Sequence, residues 1–300
     1  MWDPYIKGFK AYLQLERSMA ENTVEAYLHD VAMLRDHIEG NFPGLGVERL
    51  ELLHLQSLLA AINELELAVG TQARVISGIR SFFRYLLLEE VIRRDPSELL
   101  DAPKLRRSLP QVLSFAEIER IFAVIDHSTP EGPRNRAILE TMYSCGLRVS
   151  EAISLQITNL YLDVGFIKVI GKGNKERLVP IGETAIKHIL LYKNHIRSHL
   201  PKIKPGQEDM LFLNRRGSAL SRVMVFMILR DLAQLAGIEQ AVHPHTLRHS
   251  FATHLVEGGA DLRAVQEMMG HKSITTTEIY THLDRSYLRQ TLEKYHPRFR

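Results

Sequence analysis

The feature that most constrains this chain is the spacing of Pro96, Pro103 and Pro110 through the stretch DPSELLDAPKLRRSLPQVLS. Each proline fixes its own φ and turns the residue before it away from helix. No long helix or continuous strand can cross such a segment. It therefore reads as a linker, and it predicts a helical domain over residues 1–103, a linker over 104–112 and a second domain over 113–300. A loop inside one domain is the plainer alternative, and a length of 300 residues fits one large domain or two smaller ones.

Charge divides along the same line. Residues 1–107 carry 13 Lys+Arg against 16 Asp+Glu, a net of −3, whereas residues 108–300 carry 25 against 19, a net of +6. The formal +3 of the whole chain hides this difference, which points to separate jobs for the two parts. One cysteine, Cys145, excludes an intramolecular disulfide and any cysteine-based zinc cluster. No uncharged run approaches the ~20 apolar residues of a membrane span. The opening MWDPYIKGFKAYLQLERS carries charges throughout and no secretory apolar core. A cytoplasmic protein with no membrane partner is expected.

The first part reads as all helix. Tyr5, Phe9, Tyr12, Leu13 and Leu15 recur at helical spacing, and Asn22 or Thr23 is placed to cap a second helix bearing Val24, Tyr27, Leu28, Val31 and Leu34. A third helix is expected over Leu50–Leu65 and a fourth from Thr71 to about Val91, with Val75, Ile79, Phe82, Phe83 and Leu86 on its apolar face. Four helices with short connections make a bundle. The second part mixes types. Ser114 is expected to start a helix through Ile125, and Pro133–Tyr143 another. Phe166–Ile170 and Leu178–Ile181 read as strands around the glycine-bearing turn GKGNKER, and beyond Gly182 the pattern is helical almost to the end. The fold class is mainly α with a small β-sheet, an N-terminal helical bundle followed by an α+β domain.

Four clusters in the second part carry polar chemistry. In CGLRVSEAISL, Arg148 stands at a loop-to-helix junction with Glu151 three residues on, which suits a fork for phosphate or carboxylate and equally a structural ion pair. In GKGNKER, Lys172 and Lys175 occupy a turn from which a lysine can reach a cleft, or simply be solvated; the spacing is not that of a P-loop. In HPHTLRHSFATHL, His245 and Arg248 share a helical face. The His245–His249 spacing matches a zincin, but Thr246 stands where that motif needs its glutamate, so no metal site is expected. In GHKSITTTEIYTH, His271 is followed nine residues later by Tyr280. A phenol, with an ordinary pKa of ~10, becomes a nucleophile only where cations and a base support it. Cys145 beside the first cluster lacks a His–Asn partner pattern and reads as a small buried hydrophobe.

In this order, Arg148, Lys172, His245-x-x-Arg248, His271 and Tyr280 resemble the tyrosine recombinases of the phage integrase family, most nearly its Xer type. The phrases GLRVSEAISL, GKGNKERLVPI, HPHTLRHSFATHL and TTTEIYTH resemble the catalytic domain, and LEKYHPR the C-terminus of that type. ENTVEAYLHD and SGIRSFFRYLLLEEVIRRDP resemble its SAM-like core-binding domain, so the likeness spans nearly the whole chain. The resemblance implies a site-specific DNA recombinase with Tyr280 as nucleophile, forming a 3′-phosphotyrosyl link. It makes Arg148 and Arg248 clamps on the phosphate, Lys172 the acid for the leaving 5′ oxygen, His245 a base or phosphate donor, and His271 a phosphate donor. Glu151 matches the acidic residue that supports the first arginine. No cofactor, metal or ATP is implied.

Arg74, Ser77, Arg80, Ser81 and Arg84 follow Thr71 at three- and four-residue steps, opposite the aromatic face of their helix. Such a stripe suits phosphate contacts as well as a solvated face, although residues 71–88 contain no glutamate. The implied partners are double-stranded DNA with inverted-repeat half-sites, further protomers in a homo- or hetero-tetramer (with a paralogous recombinase), and a septal DNA translocase. The implied role is resolving chromosome dimers near the replication terminus. Alternatives are a transposon- or phage-type integrase of the same chemistry, a type IB topoisomerase, a metal-dependent nuclease, and a non-catalytic DNA-binding regulator on this scaffold.

Overall fold

The computed structural model describes residues 2–65, 68–101, 112–171, 174–270 and 285–299. The chain divides into two compact units, Met1–Ser108 and Leu109–Arg300. In the first unit α1 (Asp3–Ala11) runs into a single π turn, Tyr12–Glu16, and is followed by α2 (Glu21–Asn41), α3 (Leu52–Glu64) and α4 (Val69–Leu88). Pro4 in the first turn of α1 costs nothing, because a first-turn N–H has no partner within the helix. The apolar face expected on α4 is realised: Val75, Ile79, Phe82, Phe83 and Leu86 are all fully buried.

Two local expectations fail for identifiable reasons. Leu15 is 79% exposed, because the wider π turn carries it off the face that buries Phe9 and Leu13. The second helix is not capped by Asn22 or Thr23. It starts earlier, with Ala20 at the N-cap and its carbonyl already accepting from the N–H groups of Thr23 and Val24. The fourth helix stops at Leu88 rather than near Val91, because Glu90 enters the left-handed region at φ 55° and the Val91 N–H turns back onto the Leu86 carbonyl.

Among the described residues the bundle has one ion pair with a buried carboxylate. Asp30 of α2 is fully buried and accepts a 2.6 Å hydrogen bond from Nη1 of Arg74 on α4. Burial raises the Asp30 carboxyl above its ordinary range, and the Arg74 charge opposes that rise. Gly78 makes room for the pair, since a Cβ there would stand 2.6 Å from the Asp30 Oδ2.

In the second unit Ser114 caps α5 (Phe115–Ala123) as expected, through a capping box with Glu117. Then come α6 (Glu131–Ser144) and α7 (Val149–Ile153). Three antiparallel strands follow, β1 (Leu160–Tyr161), β2 (Phe166–Ile170) and β3 (Glu176–Pro180), ordered β1-β2-β3, with Lys168 opposite Leu178. The last strand begins two residues before the expected Leu178, and the two-residue β1 was not foreseen. The remaining helices are α8 (Glu183–His195), α9 (Arg222–Leu235), α10 (Pro244–Glu257), α11 (Leu262–Met269) and α12 (Arg285–Tyr295). Between α8 and α9 the helical pattern breaks at Pro201, Pro205 and Gly217. The chain there is held by isolated bridges, Gln156 to Met210 and Leu213 to Ala219. Tyr143, Phe251 and Leu247 sit in the core, where the buried His296 ring packs on Tyr143 and Phe251. Among the described residues no helix is long and apolar enough to cross a membrane.

Arg74→Ala is expected to lower the unfolding free energy of the first unit by about 1–3 kcal/mol, because it strands the Asp30 carboxylate in the core. Urea denaturation checks this, with exposed Arg84→Ala expected to stay near wild type.

Candidate active site

The site begins at a turn that only glycine fits well. Gly146 ends α6 at φ 59°, and the Leu147 N–H closes the turn onto the Met142 carbonyl. A Cβ on Gly146 would lie 2.4 Å from Cδ1 of Phe251 on α10. The tight turn delivers Arg148 to the N-cap of α7, in extended backbone. Glu151, at the third position of that short helix, reaches back and accepts the Arg148 backbone N–H at 2.9 Å. Helix geometry alone thus brings Arg148 and Glu151 together.

The Glu151 carboxylate is 3% exposed and fully engaged. Arg148 Nη1 donates to Oε1 at 2.8 Å, and Arg177 of β3 donates to both oxygens at 2.9 Å in a two-pronged pair. Arg248 of α10 lies with Nη1 3.9 Å from Oε2. Burial would raise the Glu151 carboxyl, but the hydrogen bonds from Arg177 and the Arg148 backbone, with the nearby positive charges, hold it below its ordinary range. Glu151 is therefore an anion at neutral pH, with three guanidiniums around it. The surplus positive charge suits a site for a phosphate.

Arg248 is 5% exposed, and its Nη1 and Nη2 donate to the carbonyls of Gly146 and Met269, each at 2.5 Å. Burial, then the Arg148 charge, brings its pKa down to about 10, which still leaves it a cation at neutral pH. His245 lies one turn earlier on α10 and is exposed. Partial desolvation and then the charges of Arg248, His249 and Arg148 push its pKa below 6.5, so the imidazole is neutral at pH 7. A neutral imidazole can accept a proton.

The described residues thus bring together Arg148, Glu151, Arg248 and His245. Lys172, His271 and Tyr280 lie outside the described residues. Cys145 is fully buried, its thiol against the Pro180 carbonyl at 3.5 Å, and burial pushes its pKa far up. Among the described residues no group of three or more His, Cys, Asp and Glu is placed to hold a metal ion. Arg177 was not singled out from the sequence, although it closes the GKGNKER phrase. The available signal was Glu151 itself, because a buried carboxylate with two oxygens needs more than the single arginine three residues before it.

On α4 the basic stripe is partly committed within its own unit. Arg74 is tied to Asp30 and the Ala26 carbonyl, Arg80 donates to the Leu100 carbonyl at 2.5 Å, and the Ser77 hydroxyl bonds back to Ala73. Arg84 is exposed and Ser81 half-buried. Arg80 and Arg84 also line a groove of about 1020 Å³ with Arg93 and Arg94.

Residues 111–286 match the model of the phage integrase family, and residues 6–90 match the N-terminal SAM-like domain of phage integrases. The chain belongs to the phage integrase family. It is an enzyme, a tyrosine-type site-specific DNA recombinase. It is 42% identical to tyrosine recombinase XerD of Chlorobaculum tepidum over 303 residues, covering 99% of this chain and 97% of that protein. It is 40% identical to tyrosine recombinase XerD of Oceanobacillus iheyensis over 293 residues, covering 98% of each. Among solved structures it is similar to XerH site-specific recombinase bound to its difH substrate before cleavage, at 25% identity and a TM-score of 0.67. That likeness covers 83% of this chain and 74% of the other.

For this integrase-family site the electrostatics predict a titration. The His245 imidazole is expected to titrate below 6.5 by NMR, and Arg148→Ala to move its midpoint up, since removing a neighbouring cation favours the imidazolium.

Proposed function

We propose that this chain exchanges strands between two copies of a DNA site built from inverted repeats, without metal or ATP, and that Tyr280 is its nucleophile. The phenolate oxygen attacks the scissile phosphorus, the bond to the 5′ oxygen breaks, and a 3′-phosphotyrosyl link holds the strand. His245 takes the phenolic proton or donates to the phosphate. Lys172 gives a proton to the departing 5′ oxygen, and His271 adds a further hydrogen bond to the phosphate. A 5′-hydroxyl from the partner duplex then attacks the phosphotyrosine and releases Tyr280. Each step trades one phosphoester for another, so bond energy is conserved and no ATP is consumed.

The observation that carries this reading is the buried Glu151 with Arg148 and Arg248 gathered beside it. A phosphorane gathers negative charge on its non-bridging oxygens as it forms. Donors already in place at those oxygens are worth about 10²–10³ in rate apiece. Arg148 uses only Nη1 of its guanidinium among the described residues, and its side chain is a third exposed, so the rest of the fork is open to a ligand. Arginine charge here does the work that a divalent ion does in metal-dependent phosphoryl transfer.

The first unit supplies duplex contacts through Arg74, Ser77, Arg80, Ser81 and Arg84. Exposed Arg84 is the readiest of these, whereas Arg74 must share its guanidinium with Asp30. Strand exchange needs four active sites around two duplexes, so the working assembly is a tetramer, of one chain or of this chain with a paralogue. Resolution of chromosome dimers, with activation by a septal DNA translocase, is the role that fits the Xer relatives.

Tyr280→Phe is expected to abolish the SDS-resistant protein–DNA adduct on a nicked suicide substrate while leaving DNA affinity within about threefold. A persisting adduct would refute the nucleophile. Cleavage undiminished by excess chelator is the companion outcome, and relaxation without exchange between two sites would favour a topoisomerase.

A further inference from the structure

We infer that Arg177 is a positioning residue for the phosphate-binding arginines, acting through Glu151 and the end of α11 and not by touching DNA. The inference rests on the recombinase reading above. Three of the five N–H donors of that guanidinium have partners among the described residues. Nη1 and Nη2 grip the two oxygens of Glu151, each at 2.9 Å, and Nε donates to the Met268 carbonyl at 3.1 Å. The Arg177 side chain is 16% exposed, against 33% for Arg148. Arg148 therefore faces solvent with donors to spare, whereas Arg177 is turned inward and committed.

Each partner of Arg177 holds a phosphate-binding arginine in turn. Glu151 orients Arg148 through both the backbone N–H and Nη1. Met269, next in sequence to the Met268 that Arg177 grips, gives its carbonyl to Arg248 Nη2. One planar fork on β3 thus fixes α7 and the last turn of α11, and with them both guanidiniums. Close packing supports this arrangement. A Cβ on Gly270 would come within 3.2 Å of the Arg177 guanidinium, and one on Gly171 within 3.4 Å. Gly270 is also in the left-handed region at φ 65°. Gly270 therefore leaves space for a side chain that never reaches the substrate, whereas a Cβ on Gly171 would make only an ordinary contact.

Lysine cannot replace this fork. An ammonium keeps the charge, but it cannot span both carboxylate oxygens in one plane and reach the Met268 carbonyl as well. Arg177→Lys thus removes the geometry and keeps the net charge of the site. Misplacement of catalytic groups by about 1 Å costs on the order of 10²-fold in rate.

The test has two independent readouts. In 15N NMR of the full chain, the wild-type Arg177 Nε proton is expected to exchange slowly, and Arg148 Nε–H to sharpen or shift toward a freely rotating guanidinium in Arg177→Lys. Single-turnover cleavage of a suicide DNA substrate at saturating protein is expected to fall about 10- to 100-fold in Arg177→Lys, with Kd for the DNA within threefold. Glu151→Gln removes the same linkage, so the double variant is expected to be no slower than the slower single one. Fast exchange at Arg177 in the wild type, an unchanged Arg148 signal, or additive losses in the double variant would each overturn the positioning role. Should Arg177→Lys fail to fold, the wild-type exchange measurement still decides. An altered Arg148 signal in a chain whose wild type forms no covalent adduct would refute the recombinase reading and leave the positioning of Arg148 standing.

Discussion

The catalytic unit is organised around one buried carboxylate. Glu151 comes from a helix of only five residues, too short to hold its own direction, and yet its two oxygens are met by arginines from a loop junction and a strand, with a third from a long helix close by. Burying a charge is costly unless its partners are complete. The fold supplies them in full, and the cost of burial becomes a constraint on geometry: α7, β3 and α10 can pack only where these groups meet. The same arrangement leaves more positive than negative charge at the surface of the site, where a phosphate would add the missing anion.

Much of this was legible in the sequence because it is local. Arg148 and Glu151 lie three residues apart across the start of a helix, and so do His245 and Arg248, and helical geometry alone puts each pair on one side. Ser114 declared a helix start for the same reason, and the structure adds Glu117 as its capping-box partner. Arg177 was hidden because its partner is 26 residues away and its role depends on the register of β3 against β2. The two-residue β1 has too few residues to show alternation, and the π turn after α1 shifts the phase that had placed Leu15 on the buried face. Ala20, an unremarkable cap, begins α2 because the chain enters from an extended residue and not because a side chain calls for it.

The acidic balance of residues 1–107 is another case in which the sum misleads. One of its carboxylates, Asp30, is taken out of solvent and neutralised by Arg74, while Arg80, Arg84, Arg93 and Arg94 line one groove together with Glu51, Asp95 and Glu98, a small positive excess inside an acidic domain. Net charge describes a domain at a distance. Contacts with a partner depend on which charges are displayed together.

The two carbonyls that hold Arg248 bear on how any loss at this position is to be understood. Gly146 and Met269 are 123 residues apart in sequence, and the guanidinium ties their backbones together at the floor of the site. Truncating the side chain would leave two buried carbonyls without their donor and free both segments to drift. On the proposed reading, a rate lost on such truncation sums a missing ligand for the phosphate and a slackened scaffold, and cannot be assigned whole to the transition state. The rivet is visible in the fold, and the proposed function makes the same cation a tool as well.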